Sequence, residues 1–542
     1  MDLILHNARV WTGKEDSPSI ASVAVKDGKT AAIGGAELLN LATSHTRIID
    51  LNGLPLLPGM ADTHLHLAET GRSMEVADLS PATSPEEMGA ILRAFVRDQQ
   101  PLVSQPVLGW GWNQDHFPNH QMPTLAQLDA MAPGRPLILT RVCQHIALAN
   151  SRAMELAGIG QATPDPAGGE IGRDQDGRPN GIFRENAMDL LPHESVTSAD
   201  LTRWLRKAAC KAASLGLAAV YSDDLCAVPG LGWQEVIAAY RRLARAGELP
   251  VRVVEQCLFT TVEELQAFFD QGFYPGWQEG NFSIGPLKIV SDGSLGARTA
   301  LLTTPYADAP EAGLGIAVHP WDRVDALVEA AHRRGMAAVI HAIGDGALDH
   351  ALNAIQRAQT LCPDRSPRHG IVHCQITRPD QLRRIRELGV QVLAQPVFLE
   401  YDLHMADLRV GEALGRSCYA WRTMVDSGIP FSAGSDSPIE SMDPFGNLYC
   451  GVTRADYEGR PAGGWHPDQR LTLPQALAAA TTGAAWCTGE EAVRGRIAPG
   501  YLADYTVPNR DIFAIPPQEL RQVSAALTVV GGRVVWEAPG HH

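Results

Sequence analysis

The chain has 542 residues, 45% hydrophobic and 20% charged, with a formal net charge of −16 at pH 7. That is enough apolar material for a large core, and the acidic balance argues against nucleic acid or an anionic membrane as the main partner. The nine cysteines are scattered without a Cys-x-x-Cys pair, which speaks against a disulfide framework or a thiolate zinc site and for a reducing cytoplasm.

The N-terminus has no basic region leading into an apolar run, so no signal peptide is expected. No uninterrupted apolar stretch approaches the roughly 18 residues of a membrane span. The first 56 residues read as short strands and turns: Leu3 to Trp11, Ser22 to Val25, a Lys26-Asp27-Gly28-Lys29 turn, Thr30 to Ile33, and Arg47 to Leu51 closed by Asn52-Gly53. The middle then alternates apolar strands with helical patterns, the sign of βαβ units and a parallel sheet. Eight strand candidates follow, all but one ending in a polar residue: Pro58 to His66, Ala218 to Asp223, Val251 to Leu258, Leu287 to Asp292, Ala337 to His341, Gly370 to His373, Val390 to Gln395 and Phe431 to Asp436. Helices are expected at Ala199 to Leu215, Val262 to Gln271, Trp321 to Arg334 and Asp345 to Gln359. Eight such units predict an α/β fold of the TIM-barrel (β/α)₈ type, with chemistry at the C-terminal ends of the strands.

The stretch between the first and second barrel strands is far longer than a βα loop needs. Residues 68–198 are read as an insertion covering the barrel mouth. The C-terminal end returns to strands, Ala503 to Val507, Ala526 to Val530 and Arg533 to Trp536, with Gly531-Gly532 as a hairpin turn. The expected organisation is a small β domain (a sheet or sandwich) from residues 1–56 and 485–542, around a barrel spanning 57–484. The terminal His541-His542 resembles a tag remnant.

In Pro58-Gly59-Met60-Ala61-Asp62-Thr63-His64-Leu65-His66, residues i and i+2 of a strand point to one side, so His64 and His66 can aim two imidazoles at one metal. Alone this pair is weak, but His341, His373 and Asp436 each close a further strand, and one barrel mouth would gather them. Imidazole and carboxylate suit Zn²⁺ and related divalent ions. Lys288, inside an apolar strand, costs free energy unless it is paired or modified. A carboxylate such as Asp292 or Asp436 is a candidate partner.

This set resembles the amidohydrolase superfamily of metal-dependent hydrolases, and within it the branch containing N-substituted formamide deformylase. The matching stretches run from Leu56 to His66, Thr163 to Ile171, His341 to Asp345, Gly434 to Pro438 and Gly495 to Asp504. The resemblance covers nearly the whole chain. It implies that His64, His66, Lys288, His341, His373 and Asp436 bind one or two divalent ions, zinc foremost, with Lys288 carboxylated on its amine and bridging the two. It also implies that Asp436 shuttles a proton while hydroxide, formed from water on the metal, attacks a substrate carbonyl. Trp112, Gln114 and His145 resemble the branch's pocket wall; His145 can hold a substrate oxygen or the reaction oxyanion, or make a structural hydrogen bond. Arg298 can pair with a substrate carboxylate, or with Asp292 or Glu170. Asp345 is expected to orient a metal ligand. Cys374, beside His373, is read as a packed neighbour.

The implied activity is hydrolysis of a C–N bond in a small-molecule amide, a linear N-substituted or N-acyl compound. The alternatives are a deaminase or cyclic-amide hydrolase, then a lactonase or phosphotriesterase, and, outside enzymes, a non-catalytic binding protein on the same fold. A cytoplasmic location is expected, and base rates favour a homodimer.

Overall fold

Eight parallel strands wrap around one axis in the computed structural model, which describes residues 1–14, 17–100, 105–118, 120–141, 146–166, 169–192, 196–226, 228 and 230–540. The barrel strands are, in order, Met60–Leu65, Leu217–Ser222, Arg252–Leu258, Phe282–Val290, Ala338–Ala342, Gly370–His373, Gln391–Ala394 and Phe431–Ala433. Each pairs in parallel with the next. Just beyond the strand ends, the Asp436 amide donates to the His64 carbonyl and the His66 amide to the Ser437 carbonyl, both at 2.8 Å, joining the last strand to the first. Strands covered on both faces need no polar alternation, which is why they read as near-continuous Val/Ile/Leu/Ala runs.

The helices bury one stripe each. Ser198–Ser214 turns Leu201, Leu205, Ala208, Ala209 and Ala212 inward, at the 3–4 residue spacing of a single helix face. Val262–Asp270 starts at Thr261, whose side chain accepts from the Glu264 amide. Trp321–Arg333 and Asp345–Leu361 follow the fourth and fifth strands.

The fourth strand begins at Phe282, five residues before the start expected from sequence. The register against the third strand slips at Gly285-Pro286, from Glu255 opposite Ile284 to Cys257 opposite Leu287. Such a bulge accommodates a proline that has no N–H for the ladder.

Both ends of the chain contribute to a second sheet. Its order is Arg533–Glu537, Ala525–Val530, Tyr505–Pro508, Pro55–Pro58, Leu3–Val10, Ser19–Lys26 and Lys29–Gly34, with Arg47–Asp50 also pairing with Leu3–Val10. Leu5, Val10, Leu56, Tyr505 and Val529 share its core.

Residues 70–197 form a compact unit of their own. It has a six-stranded sheet in the order Gly169–Arg173, Pro179–Glu185, Ile146–Ala149, Leu137–Arg141, Val107–Trp112 and Ala77–Asp78. One apolar cluster gathers around Leu79, Met88, Trp112 and Leu139, and another around Ala149, Ile171 and Phe183. Among the described residues, no helix is long and apolar enough to cross a membrane.

Candidate metal centre

His64 is the most constrained member. Its ring is buried, and Nδ1 lies 2.6 Å from Gln256 Oε1 on the third strand. Gln256 Nε2 donates to the Thr63 carbonyl at 2.9 Å. That fixes the amide's orientation, so Oε1 accepts and His64 Nδ1 carries the proton. Nε2 is then a bare lone pair, 3.2 Å from Asp436 Oδ1 and 3.3 Å from Lys288 Nζ. Asp436 Oδ1 also lies 3.1 Å from His66 Nε2. Two electron-pair donors facing each other at 3.2 Å repel unless a cation or an added proton lies between them.

The last two strands present their groups through unusual backbone. His373 has φ 74°, Cys374 φ 52° and Asp436 φ 62°, left-handed conformations that cost non-glycine residues energy and cluster at functional sites. Gly434 lets the eighth strand approach the first; a Cβ there would come 2.6 Å from the His64 amide nitrogen and 2.8 Å from Asp62 Oδ1. Asp62 accepts from the Ser435 amide, the Ser435 hydroxyl and the His64 amide, fastening the two strands. Burial nonetheless raises its carboxyl to about 7.

His341 is oriented by Asp292, with Nδ1 2.9 Å from Oδ1. Asp292 is itself held by the amides of Leu301, Ile343 and Gly344. A carboxylate on Nδ1 leaves Nε2 as the ligating nitrogen. The rings of His341 and His373 meet edge-on at 4.4 Å. His373 Nδ1 is buried without a hydrogen-bond partner among the described residues.

Lys288 is fully buried, and Nζ donates to Asp223 Oδ2 at 2.7 Å. The partners considered from sequence were Asp292 and Asp436; Asp223 stands at the end of the second strand and reaches Lys288 across the barrel mouth. Its other oxygen, Oδ1, lies 2.7 Å from His66 Nδ1. The two atoms are close but not aligned as a hydrogen bond, and Oδ1 is buried with no donor directed at it.

Burial and contacts oppose each other in these groups. Burial raises the Asp223 and Asp436 carboxyls, but His66 and Lys288 beside Asp223, and His64 and His66 beside Asp436, outweigh it and hold both below the ordinary carboxylate value. Burial and Lys288 lower His64; burial and His341 lower His373 far below the usual histidine value. Burial would lower His66 too, but Asp223 and Asp436 flank it and raise it well above that value.

A cation fits here on the chemistry of the donors. Two groups of ligating atoms, His64–His66–Asp223 and His64–His373–Asp436, each lie within 4.8 Å of one another. They share His64, and each contains one buried atom without a hydrogen-bond partner.

Several other expected site residues have different surroundings. Asp345 accepts from the Thr303 amide and from Arg378 and Gln381, through its backbone carbonyl in the last case; the contact on His341 comes from Asp292. Arg298 is paired with Asp308, Nη2 to Oδ2 at 2.8 Å, rather than with Asp292 or Glu170. Trp112 is fully buried in the core of the 70–197 unit and donates from Nε1 to the Leu139 carbonyl. Gln114 accepts from Arg141 Nε at 2.8 Å. His145 lies outside the described residues. Cys374 is buried, and burial pushes its thiol up to about 12, as suits a packed neighbour. Gln256 and Asp223 were missed as site members, although each shows in the sequence as a polar residue within or at the end of an apolar strand.

Comparison with known proteins gives this arrangement a lineage. The model of the Amidohydrolase family matches residues 47–536. The chain belongs to the amidohydrolase family. This amidohydrolase is 32% identical to "Putative amidohydrolase YtcJ" of Bacillus subtilis, over 99% of this chain and 100% of the relative. It is 27% identical to N-substituted formamide deformylase of Arthrobacter pascens, over 99% of both chains. Its fold is similar to the crystal structure of an uncharacterized metal-dependent hydrolase from Pyrococcus horikoshii, with TM-score 0.75 and 28% identity over 95% of this chain and 99% of that one.

Proposed function

We propose that this amidohydrolase is a metal-dependent hydrolase that cleaves the C–N bond of a small, linear N-substituted or N-acyl amide. The observation that carries the reading is the convergence of His64 Nε2 and Asp436 Oδ1 at 3.2 Å among further imidazoles at one barrel mouth. The end-to-end similarity to N-substituted formamide deformylase supports the bond type. Zn²⁺ suits the imidazole–carboxylate set, which would be His64, His66, His341, His373 and Asp436, with Lys288 when carboxylated. A bound divalent ion supplies Lewis acidity toward the carbonyl and lowers the pKa of water toward neutrality.

The protein's own groups supply the rest. Asp436 is held ionised, and its contacts to both histidines run through Oδ1. Oδ2 is the atom that takes a proton from the attacking water and passes it to the departing nitrogen. Gln256 and Asp292 hold their histidines in one tautomer and so keep the lone pairs aimed during turnover.

Charge balance links the state of Lys288 to the number of ions. Asp223 and Asp436 with a Lys288 ammonium leave one net negative charge, suited to one divalent ion. A carbamate on Lys288 makes three, suited to two. The two-ion form is the reading taken here, because a carbamate on Lys288 is the state that explains a lysine buried among ligands.

The test is metal analysis and intact mass in bicarbonate buffer, followed by a panel of formamides, N-acyl amines, cyclic amides and aminated heterocycles. Ion-dependent release of an amine with a carboxylic acid is expected from the linear amides. Ammonia release from the heterocycles alone would replace this reading with a deaminase.

A further inference from the structure

Asp223 is not among the six residues that the sequence pattern supplies, yet it is as deeply placed as any of them. It closes the second barrel strand, is 2% exposed, and approaches two of the six, Lys288 through Oδ2 and His66 through Oδ1. The two oxygens differ. Oδ2 receives a well-formed hydrogen bond from Lys288 Nζ at 2.7 Å. Oδ1 has no aligned donor, although it is buried and charged. A buried carboxylate oxygen without an aligned donor forgoes much of the hydrogen bonding that offsets its desolvation; His66 Nδ1 stands 2.7 Å away but off the hydrogen-bond direction, which leaves the oxygen's lone pairs open to a cation. One of the Asp223 carboxylate oxygens lies within 4.8 Å of donor atoms of His64 and His66.

We propose that Asp223 is itself a ligand of the divalent centre, with Oδ1 turned to the ion and Oδ2 fixed by Lys288; this rests on the reading that the site holds such an ion. Lys288 keeps an N–H for Oδ2 whether it is an amine or a carbamate, so the role holds in both forms. In the first group Asp223 does what Asp436 does in the second: it provides the single anionic ligand beside the imidazoles. Removing Asp223 then leaves the carboxylate of the second group, Asp436, in place.

The experiment is Co²⁺ binding to the full-length protein, read by visible absorption and by competition against a chromophoric chelator. Asp223→Asn is expected to change the absorption bands of bound Co²⁺ and to weaken binding by about 10- to 100-fold, while Asp223→Glu recovers part of both. A residue that only positions His66 would weaken binding without altering the ligand field. Asp223→Asn also strands the Lys288 ammonium, so Lys288→Met and the double variant Asp223→Asn/Lys288→Met are compared as well. The double variant should bind Co²⁺ more weakly than Lys288→Met and with a different spectrum. Identical spectra and affinities in either comparison overturn the proposal and leave the hydrolase reading standing. A parent protein that binds no Co²⁺, Zn²⁺ or Mn²⁺ overturns both.

Discussion

His369, buried against His332 at the opposite end of the barrel from the candidate metal centre, should make this protein lose stability in mild acid. His332 Nε2 faces the Cys362 carbonyl at 3.0 Å, so it carries the proton, and its Nδ1 accepts. His369 Nδ1 accepts from the Ala338 amide at 2.9 Å, so its Nε2–H donates to His332 Nδ1 at 2.8 Å. Both tautomers are fixed, both rings are neutral, and a proton added to either ring breaks a hydrogen bond in the chain. Burial, then His332, lower His369 from 6.5 to about 3. With the folded value below the unfolded one, the unfolded chain takes up the extra proton. The contribution to stability is complete above pH 6.5 and fades as pH falls toward 3. At pH 4.5, two units below the free value, the loss is about 2.7 kcal/mol at ~1.36 kcal/mol per unit.

His369→Asn keeps an acceptor for the Ala338 amide but abandons His332 Nδ1, at a cost of about 1–3 kcal/mol at neutral pH. Parent and variant should therefore differ at pH 7.5 and converge near pH 4.5. Urea unfolding followed by circular dichroism at fixed ion content measures the difference, and the contributions of other titrating groups cancel. A gap that stays constant across that range would show that His369 takes up no proton on unfolding and would refute the tautomer argument.

Three further outcomes concern the centre. Asp436→Asn keeps the shape and removes the proton acceptor, so turnover should fall by about 10² or more with a smaller loss of metal; turnover equal to the parent's would remove Asp436 from the proton path. Gln256→Leu leaves His64 Nδ1 and the Thr63 carbonyl without partners and should weaken ion binding by about 10- to 100-fold in a chelator titration, whereas unchanged affinity would mean that His64 needs no such support. Gly434→Ala forces a methyl group to 2.6 Å from the His64 amide nitrogen and should cost about 1–3 kcal/mol in thermal or urea unfolding, with ion affinity falling alongside.

The barrel was legible because nearly every apolar run, the one ending at Leu258 excepted, ends on a residue that has no business in a core. His341 and His373 mark their strands almost to the residue. What sequence could not supply is the partner reached across space. Lys288 visibly needed a counter-charge, but Asp223 lies 65 positions away and meets it only once the barrel has curled. Asp345, four residues after His341, was the natural candidate to orient that ring; the chain turns away, and Asp292, from the neighbouring strand, takes the place. Trp112 and Gln114 were assigned to a pocket wall by likeness; the segment carrying them builds its own core, in which the Trp112 indole is buried. Arg298 finds Asp308 within its own loop, a pairing that no strand or helix period announces.

The seam between the last barrel strand and the first has a consequence for synthesis. His64 is made early, but its counterpart Asp436 follows more than two-thirds of the way along the chain, and the bonds from Asp436 to His64 and from His66 to Ser437 cannot form before then. Pro55–Pro58, just ahead of His64, is likewise paired with Tyr505–Pro508 near the other end. A chain emerging from the ribosome therefore carries loose imidazoles long before it carries a site that selects among ions, and contacts of such long sequence separation form slowly. Truncation anywhere before residue 436 yields histidines without Asp436 or the hydrogen bonds that join the last strand to the first, so the whole donor set is assembled only in the finished barrel.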